Sequence, residues 1–257
     1  MTPSLPATFL TVPLAHRALH DVADGRPENS RAAIRAAMAA GYGIEIDLQQ
    51  SKDGCAMVFH DYDLDRLAAG TGPVRALTRA ALGSVPLKSG DGEGIPELAE
   101  VLDLVAGRVP LLIELKDPQG EMGITDGVLE RATVEALQGY AGPVALMSFN
   151  PNSVTELARL APDIARGITT SAYDPAEWPE LPKAVCDALR AIPDFDRSGS
   201  SFISHEAGDL ARPRVQALRS AGVPVLCWTV RSAAEETAAR AFADNVTFER
   251  YLSPLTP

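Results

Sequence analysis

Cysteine is scarce in this 257-residue chain, which holds three cysteines far apart, at positions 55, 186 and 227. An odd number without Cys-x-x-Cys spacing excludes a disulfide framework and a zinc knuckle. No stretch approaches the roughly 20 apolar residues that a transmembrane helix needs. Residues 1–14 contain no lysine or arginine, which argues against a signal peptide. We therefore expect a cytoplasmic protein without stable membrane insertion.

Positively charged residues are also scarce. The chain has 23 Lys and Arg against 34 Asp and Glu, which gives a formal net charge of −11. A general nucleic-acid binder needs a basic face that neutralises phosphates, so we expect no nucleic-acid partner. The Gly-x-Gly-x-x-Gly fingerprint of dinucleotide binding is absent as well. Apolar residues make up 46% of the chain, which is enough to bury a sizeable core.

Short apolar runs alternate with Ala-rich stretches of helical periodicity along the whole chain. The eight predicted strands span residues 12–15, 43–48, 110–116, 143–148, 164–168, 201–204, 224–230 and 245–248. Predicted helices separate most of them, at residues 30–40, 124–138, 151–160, 184–191, 209–221 and 232–242. This rhythm favours an α/β fold, the (β/α)8 TIM barrel, and a doubly wound open sheet is the alternative. We expect one domain over residues 1–257, with an insertion at about 49–96.

Charged side chains recur at the ends of the second and third predicted strands. Glu45 and Asp47 lie two residues apart, as do Glu114 and Lys116, so each pair points to one face of its strand. Three inward carboxylates are costly as bare anions but tolerable around a divalent cation or opposite charges. Oxygen ligands of this kind suit Mg²⁺ or Ca²⁺. Alternatively, one carboxylate of each pair faces solvent and Lys116 pairs with Glu114.

Two of the four histidines follow apolar runs. His16 follows Val-Pro-Leu-Ala and His60 follows Met-Val-Phe, so each would stand where a strand meets the barrel mouth. Imidazole takes and gives protons near neutral pH, as general acid–base catalysis requires. We expect a surface role for His20, while His205 is either structural or part of the site wall.

An ordered set of motifs resembles the glycerophosphodiester phosphodiesterase family. The motifs are A-H-R at 15–17, P-E-N-S at 27–30, G-x-E-I-D at 43–47, S-K-D-G at 51–54, H-D at 60–61, I-E-L-K at 113–116 and W-T-V at 228–230. Residues 95–102 are similar to the family's helix before the third barrel strand. The resemblance covers nearly the whole chain. It implies a barrel of the phosphatidylinositol-phospholipase-C type with a small insertion after the second strand.

The resemblance also implies one divalent cation, an acid–base pair of histidines and basic contacts to a phosphate. A tryptophan in the site wall could pack on the glycerol or on a choline-like head group. The expected site comprises His16 and His60 as catalytic residues, Glu45, Asp47 and Glu114 as metal ligands, and Arg17, Lys116, Trp228 and Phe149 as substrate contacts.

The implied activity is metal-dependent hydrolysis of glycerophosphodiesters to glycerol 3-phosphate and an alcohol. The nucleophile is either the substrate's own 2-hydroxyl, which gives a cyclic phosphate that water then opens, or water itself. One alternative is another phosphodiesterase or phospholipase on the same barrel, sphingomyelinase-like or phosphoinositide-specific. The other is a non-catalytic barrel that binds phosphodiesters. The sequence leaves the head group, the metal and the oligomeric state open.

The chain departs from the family pattern at four positions. Ala18 stands where the family has glycine, and Asn245, Glu249 and Tyr251 replace a glycine, an aspartate and a proline near the last strand. We expect Ala18 to shift the backbone beside the phosphate, and the three C-terminal changes to affect the loop after the eighth strand and, with it, substrate preference. The implied histidines and acidic ligands are all present.

Overall fold

The computed structural model describes residues 2–255, so residue 1 and residues 256–257 of the predicted domain lie outside the described residues. Its strands, in chain order, are β1 (Leu14–Ala15), β2 (Gly43–Gln50), β3 (Ala56–Val58), β4 (Leu111–Leu115), β5 (Val144–Ser148), β6 (Ala165–Thr170), β7 (Phe202–Glu206), β8 (Val225–Val230) and β9 (Asn245–Phe248). All strands except β3 match a strand predicted from the sequence.

The parallel strands form a closed ring. Their order is β1-β9-β8-β7-β6-β5-β4-β2, and β1 pairs with β2 to close it. Strand β3 lies outside the ring and pairs with β2 in antiparallel fashion. The predicted (β/α)8 barrel is therefore confirmed, and the doubly wound open sheet is excluded.

Helices connect the barrel strands. In chain order they are α1 (Thr8–Thr11), α2 (Arg31–Ala40), α3 (Arg79–Leu82), α4 (Leu98–Val105), α5 (Val128–Ala136), α6 (Pro151–Leu160), α7 (Lys183–Arg190), α8 (Pro213–Ser220) and α9 (Ala233–Ala239). Their ends follow local signals: the Ser30 hydroxyl accepts the Ala33 N–H at the start of α2, and Gly41 ends it with φ of +80°. Helix α5 begins later than predicted because Gly127 has φ of +73°, outside the right-handed helical region.

The barrel interior is apolar below the polar side chains of its mouth. Leu112 precedes Glu114 by two residues on β4, so both side chains face inward. Leu112 packs in one buried cluster with Phe202 of β7 and with Phe9 of α1. This packing fixes the lower ends of the strands, and the carboxylates are left at their upper ends.

The insertion after β2 has an apolar cluster of its own. The β2–β3 hairpin opens it, and a cluster that includes Met57, Phe59 and Leu64 holds the loops together. His60 directly follows Phe59 of this cluster, so the packing of the insertion places a histidine beside the barrel mouth. Among the described residues, no helix has both the length and the apolar character that crossing a bilayer requires.

Candidate active site

Three buried carboxylates meet at the mouth of the barrel. Asp47 on β2 lies directly opposite Glu114 on β4 in the parallel register. Glu45, one inward position below Asp47, completes a group whose carboxylate oxygens lie within 4.8 Å of one another. All three residues are at most 5% exposed. The alternative in which one carboxylate of each pair faces solvent is therefore wrong.

Lys116 neutralises part of this negative charge. Its Nζ lies 2.8 Å from Asp47 Oδ1 and also donates to Glu114 Oε1. Burial opposes ionisation of Asp47, but Lys116, His60 and Arg17 hold its pKa well below the usual range. Burial, with Asp47 and Glu114 nearby, raises the pKa of Glu45 far above its usual value. Ionisation of Glu45 therefore needs positive charge close to it.

His16 is oriented by a carboxylate from the other end of the chain. The imidazole Nδ1 lies 2.7 Å from Glu249 Oε2, just after β9. Burial opposes ionisation of Glu249, but hydrogen bonds from His16 and Arg231, with His20 close by, hold its pKa well below the usual range. An ionised carboxylate only accepts, so Nδ1 carries the proton and Nε2 keeps a free lone pair. The replacement of the family's aspartate by Glu249 thus preserves a carboxylate beside His16.

His60 has a similar carboxylate neighbour within the insertion. Its Nδ1 lies 2.7 Å from Asp61 Oδ1, and its backbone oxygen accepts from Gln49 Nε2 at 2.9 Å. Burial opposes ionisation of Asp61, but His60 and Arg66 hold its pKa below the usual range. His60 Nδ1 is therefore the donor in this pair, and its Nε2 is the atom left for chemistry.

Arg17 contributes a buried donor to the same place. Its Nη1 donates to Glu28 Oε1 at 2.8 Å, while its Nε lies 3.7 Å from Asp47 Oδ2. That Nε is buried and makes no hydrogen bond within the described residues. A buried N–H without a partner is costly, so this atom is poised to bind an anionic ligand oxygen.

Arg66, which the sequence motifs do not include, links Glu28 to Asp61. Arg66 Nη1 donates to Glu28 Oε2 at 3.0 Å, and Arg66 Nε donates to Asp61 Oδ2 at 2.7 Å. Ion pairs therefore run without a break from Arg17 to the carboxylate beside His60. The short Arg-Leu-Ala-Ala context of Arg66 offers no sequence signal for this contact.

Two adjoining cavities open at these residues. All nine side chains of the predicted site line an inner cavity of about 130 Å³. An outer cavity of about 560 Å³ shares His60, Glu114, Lys116, Phe149 and Trp228 with it, and extends over the insertion. Phe149 and Trp228 meet edge to face, with ring centroids 5.4 Å apart.

The other two histidines lie away from this inner wall. His205 is fully buried, with its Nδ1 2.7 Å from the Thr170 hydroxyl and its Nε2 3.2 Å from Asp209 Oδ2. These contacts favour a structural role for His205 over a place in the site wall. His20 is half-buried rather than on the surface, and its Nε2 lies 3.6 Å from Glu249 Oε2.

Comparisons with known proteins agree on one family. The sequence model of the Glycerophosphoryl diester phosphodiesterase family matches residues 16–249. A glycerophosphodiester phosphodiesterase of Caldanaerobacter subterraneus subsp. tengcongensis is 33% identical over 150 residues, which are 55% of this chain and 60% of that relative. One from Bacillus subtilis is 28% identical over 210 residues, 75% of this chain and 68% of the relative. The solved structure of an Oleispira antarctica phosphodiesterase in complex with the product sn-glycerol-3-phosphate covers 93% of both chains, with a TM-score of 0.73 and 26% identity.

Proposed function

This chain belongs to the glycerophosphoryl diester phosphodiesterase family, and we propose that it hydrolyses glycerophosphodiesters to sn-glycerol 3-phosphate and an alcohol with the help of a divalent cation. The observation that carries the proposal is one cavity lined by two histidines, three carboxylates and two basic side chains. The named relatives and the neighbour that holds the product support a phosphoric diester hydrolase. They do not favour a sphingomyelinase-like or phosphoinositide-specific lipase, or a non-catalytic barrel.

Glu45, Asp47 and Glu114 would hold the cation. Their donor set is all oxygen and buried. Burial, together with Asp47 and Glu114, raises the pKa of Glu45, so positive charge among the three carboxylates would favour its ionised form. A hard divalent ion, Mg²⁺ or Ca²⁺, fits such a set. When bound, it supplies positive charge that stabilises the phosphoryl oxygens as they gain negative charge.

Arg17 and Lys116 would bind the phosphodiester. The unpartnered Arg17 Nε can donate to one non-bridging oxygen. Burial opposes the charge on Lys116, but Asp47 and Glu114 raise its pKa above the usual value, so the side chain remains an ammonium ion. The charged side chains of Arg17 and Lys116 stabilise the transition state, because the phosphoryl group carries more negative charge there than in the substrate.

His16 would act as the base, because its imidazole is neutral at the start of the reaction. Burial, reinforced by the charge of Arg17, lowers the pKa of His16 to about 4 despite the hydrogen bond to Glu249. The imidazole is therefore neutral at pH 7 and can accept a proton at Nε2. Ionised Glu249, hydrogen-bonded to Nδ1, stabilises the imidazolium that forms.

His60 is placed to act as the acid, because it lines the outer cavity and His16 does not. A leaving alcohol that occupies the outer cavity has its oxygen beside His60. In the first step, the nucleophile forms a bond to phosphorus and gives its proton to His16, while the bond to the leaving oxygen breaks and that oxygen receives the proton of His60. If the nucleophile is the 2-hydroxyl, a second step with water in the reverse direction opens the cyclic phosphate.

The direct test is the release of sn-glycerol 3-phosphate, measured with a coupled assay on a panel of glycerophosphodiesters, with Mg²⁺, Ca²⁺ or a chelator. We expect equal amounts of sn-glycerol 3-phosphate and alcohol, with turnover only when a cation is present. If no diester of the panel yields sn-glycerol 3-phosphate under any metal condition, the proposed function is wrong.

Binding of the cation can be measured without turnover. Titration calorimetry with Mg²⁺ or Ca²⁺ should show one site in the wild type and much weaker binding in Asp47→Asn, which loses a charged ligand. Asp103→Asn removes an exposed carboxylate on α4 and serves as the matched control, with unchanged binding. Equal affinity in Asp47→Asn and the wild type would exclude these residues as the metal site.

A further inference from the structure

A buried hydroxyl group without a partner lines the inner cavity. Thr247, on β9, is 1% exposed and belongs to none of the motifs that the chain shares with its family. Its Oγ1 is buried and makes no hydrogen bond within the described residues, yet the side chain lines the inner cavity together with the reacting groups. A buried polar atom without a partner is costly, so this hydroxyl is placed to bind a polar group that enters the cavity.

The strand register places Thr247 below the groups that would bind the phosphate. Thr247 lies opposite Leu14 of β1, whose side chain packs in the apolar cluster of the barrel interior. Glu249 follows two residues later in the chain, towards the mouth. Arg17 and Lys116 come after the upper ends of β1 and β4. The Thr247 hydroxyl therefore forms part of the floor of the inner cavity, and the two basic side chains lie above it.

The other polar groups in the inner cavity already have roles or partners. Three carboxylates would hold the cation, two histidines would move protons, and two basic side chains would bind the phosphate. Arg231 also lines the cavity, but its Nε donates to Glu249 Oε1 at 2.8 Å. The neutral hydroxyls that remain are those of Thr229 and Thr247. Of these two, only the Thr247 Oγ1 is a buried atom without a hydrogen bond in the described part of the chain.

The glycerol side of the proposed substrate has a hydroxyl group that can reach this floor. The phosphate, held by Arg17 and Lys116, is attached to one end of the glycerol, and the terminal hydroxyl at the other end is the group farthest from phosphorus. Between them, the 2-hydroxyl lies beside His16 if it is the nucleophile. The terminal hydroxyl then points down towards Thr247. Two hydroxyl groups match each other because each can both donate and accept a hydrogen bond.

We infer that Thr247 binds the terminal hydroxyl of the glycerol moiety and thereby selects glyceryl esters over diesters that lack this hydroxyl. This inference rests on the proposed function and names a residue that determines its specificity. A site that hydrogen-bonds a substrate hydroxyl discriminates against the analogue without it, because the buried group of the site is then left unpaired.

Two substrates that differ by one oxygen atom test this contact. The first is the choline ester of sn-glycerol 3-phosphate, and the second is its deoxy analogue, built on propane-1,2-diol, which lacks the terminal hydroxyl. Both keep the phosphodiester, the 2-hydroxyl and the leaving alcohol, so choline release measures the hydrolysis of both. We expect the wild type to have a kcat/KM about tenfold higher for the glyceryl ester. Equal values for the two esters would overturn the inference and leave the proposed function intact.

Variants at position 247 separate the threonine hydroxyl from the cation as the source of this preference. Thr247→Val keeps the shape of the side chain and removes the hydroxyl, so it should lower kcat/KM for the glyceryl ester by about tenfold and leave the deoxy ester unchanged. A second pair differs in the same oxygen atom: Thr247→Ser should keep the preference and Thr247→Ala should lose it, even if valine fits poorly. A preference that persists in Thr247→Val and Thr247→Ala would assign the terminal hydroxyl to the cation and overturn the inference.

Thr169→Val is the matched control. Thr169 on β6 is also 1% exposed, and its Oγ1 is likewise buried and without a hydrogen bond in the described residues. Its side chain, however, lines neither the inner nor the outer cavity. The substitution should leave the preference for the glyceryl ester at the wild-type value. A loss of preference as large as that of Thr247→Val would show that any buried hydroxyl of the barrel affects the site, and would overturn the inference.

Binding of the product provides a readout that does not need turnover. In titration calorimetry of the cation-loaded wild type, sn-glycerol 3-phosphate should bind about tenfold more tightly than propane-1,2-diol 1-phosphate, and in Thr247→Val the two affinities should be equal. If no diester is hydrolysed but the wild type shows this difference, the proposed function fails and the Thr247 contact stands. If diesters are hydrolysed but the two compounds bind the wild type equally well, the inference fails on its own.

Discussion

The two histidines that we propose as catalytic differ in how far their side chains are exposed to solvent. His16 is 12% exposed and His60 is 29% exposed, and each donates its Nδ1 proton to a carboxylate. The lower exposure of His16 explains why it is neutral at pH 7. Because His60 also lines the outer cavity and His16 does not, we assign the role of base to His16 and that of acid to His60.

The stability of the metal-free protein should reflect the pKa of His16. The unfolded chain takes up this proton near pH 6.5 and the folded chain only near pH 4. Since the unfolded state binds more protons between these values, stability falls as the pH decreases from about 6.5 to 4, by about 3 kcal/mol from this group. Urea unfolding at several pH values in EDTA should show a smaller loss of unfolding free energy on acidification for His16→Gln than for the wild type. An equal loss in both proteins would show that the pKa of His16 is not lowered by folding.

Arg66 should matter to catalysis although it lies outside the inner cavity. Its guanidinium holds Asp61, which orients His60, and Glu28, which holds Arg17. Arg66→Met should therefore lower kcat by about tenfold, part of the 10²–10⁴-fold that acid–base catalysis contributes. The loss should be smaller with a nitrophenyl leaving group, which needs little protonation.

Arg75→Met is the control for Arg66→Met. Arg75 lies on the same insertion. Within the described residues its side chain makes one hydrogen bond, from Nη1 to Pro118 O at 3.3 Å. The Arg75→Met substitution should leave kcat near the wild-type value on both substrates. An equal loss on alcohol and nitrophenyl esters in Arg66→Met would point to general disruption rather than to the positioning of His60.

Sequence separation explains which site residues could be predicted. The nine predicted residues lie in short motifs at strand ends, where the period of a strand determines the face, and all nine line one cavity. The partner of His16 is 233 residues away, and Arg66 and Trp178 reach the site from loops. Such contacts depend on how loops fold over the barrel, which periodicity does not encode.

At the scale of secondary-structure elements, the strands were predicted well because buried parallel strands are short apolar runs. The errors lie at the ends. Residues 12–13 were predicted as strand, but β1 is limited to Leu14–Ala15. The predicted helix at 209–221 begins as α8 at Pro213, after a separate turn of 3₁₀-helix at Ala207–Asp209. Turn geometry determines these boundaries.

One close backbone contact holds the end of the insertion. A Cβ on Gly94 would lie 1.9 Å from Gly83 O, so Gly94→Ala should force the two segments apart. We expect a loss of about 1–3 kcal/mol in the free energy of unfolding, measured by urea denaturation. Gly123→Ala is the control, because a Cβ there meets no atom within 4 Å. A loss below about 0.5 kcal/mol in Gly94→Ala would show that the insertion adapts easily.

At the scale of the whole molecule, we propose that barrel and insertion form one folding unit. The insertion has its own apolar cluster, but the β2–β3 pairing and the ion pair of Arg31 with Glu93 join it to the barrel. Urea unfolding followed by tryptophan fluorescence and by far-ultraviolet circular dichroism should give coincident single transitions. A separate early transition would mean that the insertion unfolds as a second domain.

We propose that His16 and His60 act on opposite sides of one phosphodiester. The most direct test measures kcat of the wild type, His16→Ala and His60→Ala on a choline diester and on a nitrophenyl diester of sn-glycerol 3-phosphate. Both variants should lose about 10²–10⁴-fold on the choline diester. On the nitrophenyl diester His60→Ala should recover most of its rate, whereas His16→Ala should stay slow. Near-normal turnover of the choline diester by His60→Ala would exclude a mechanism that uses both histidines.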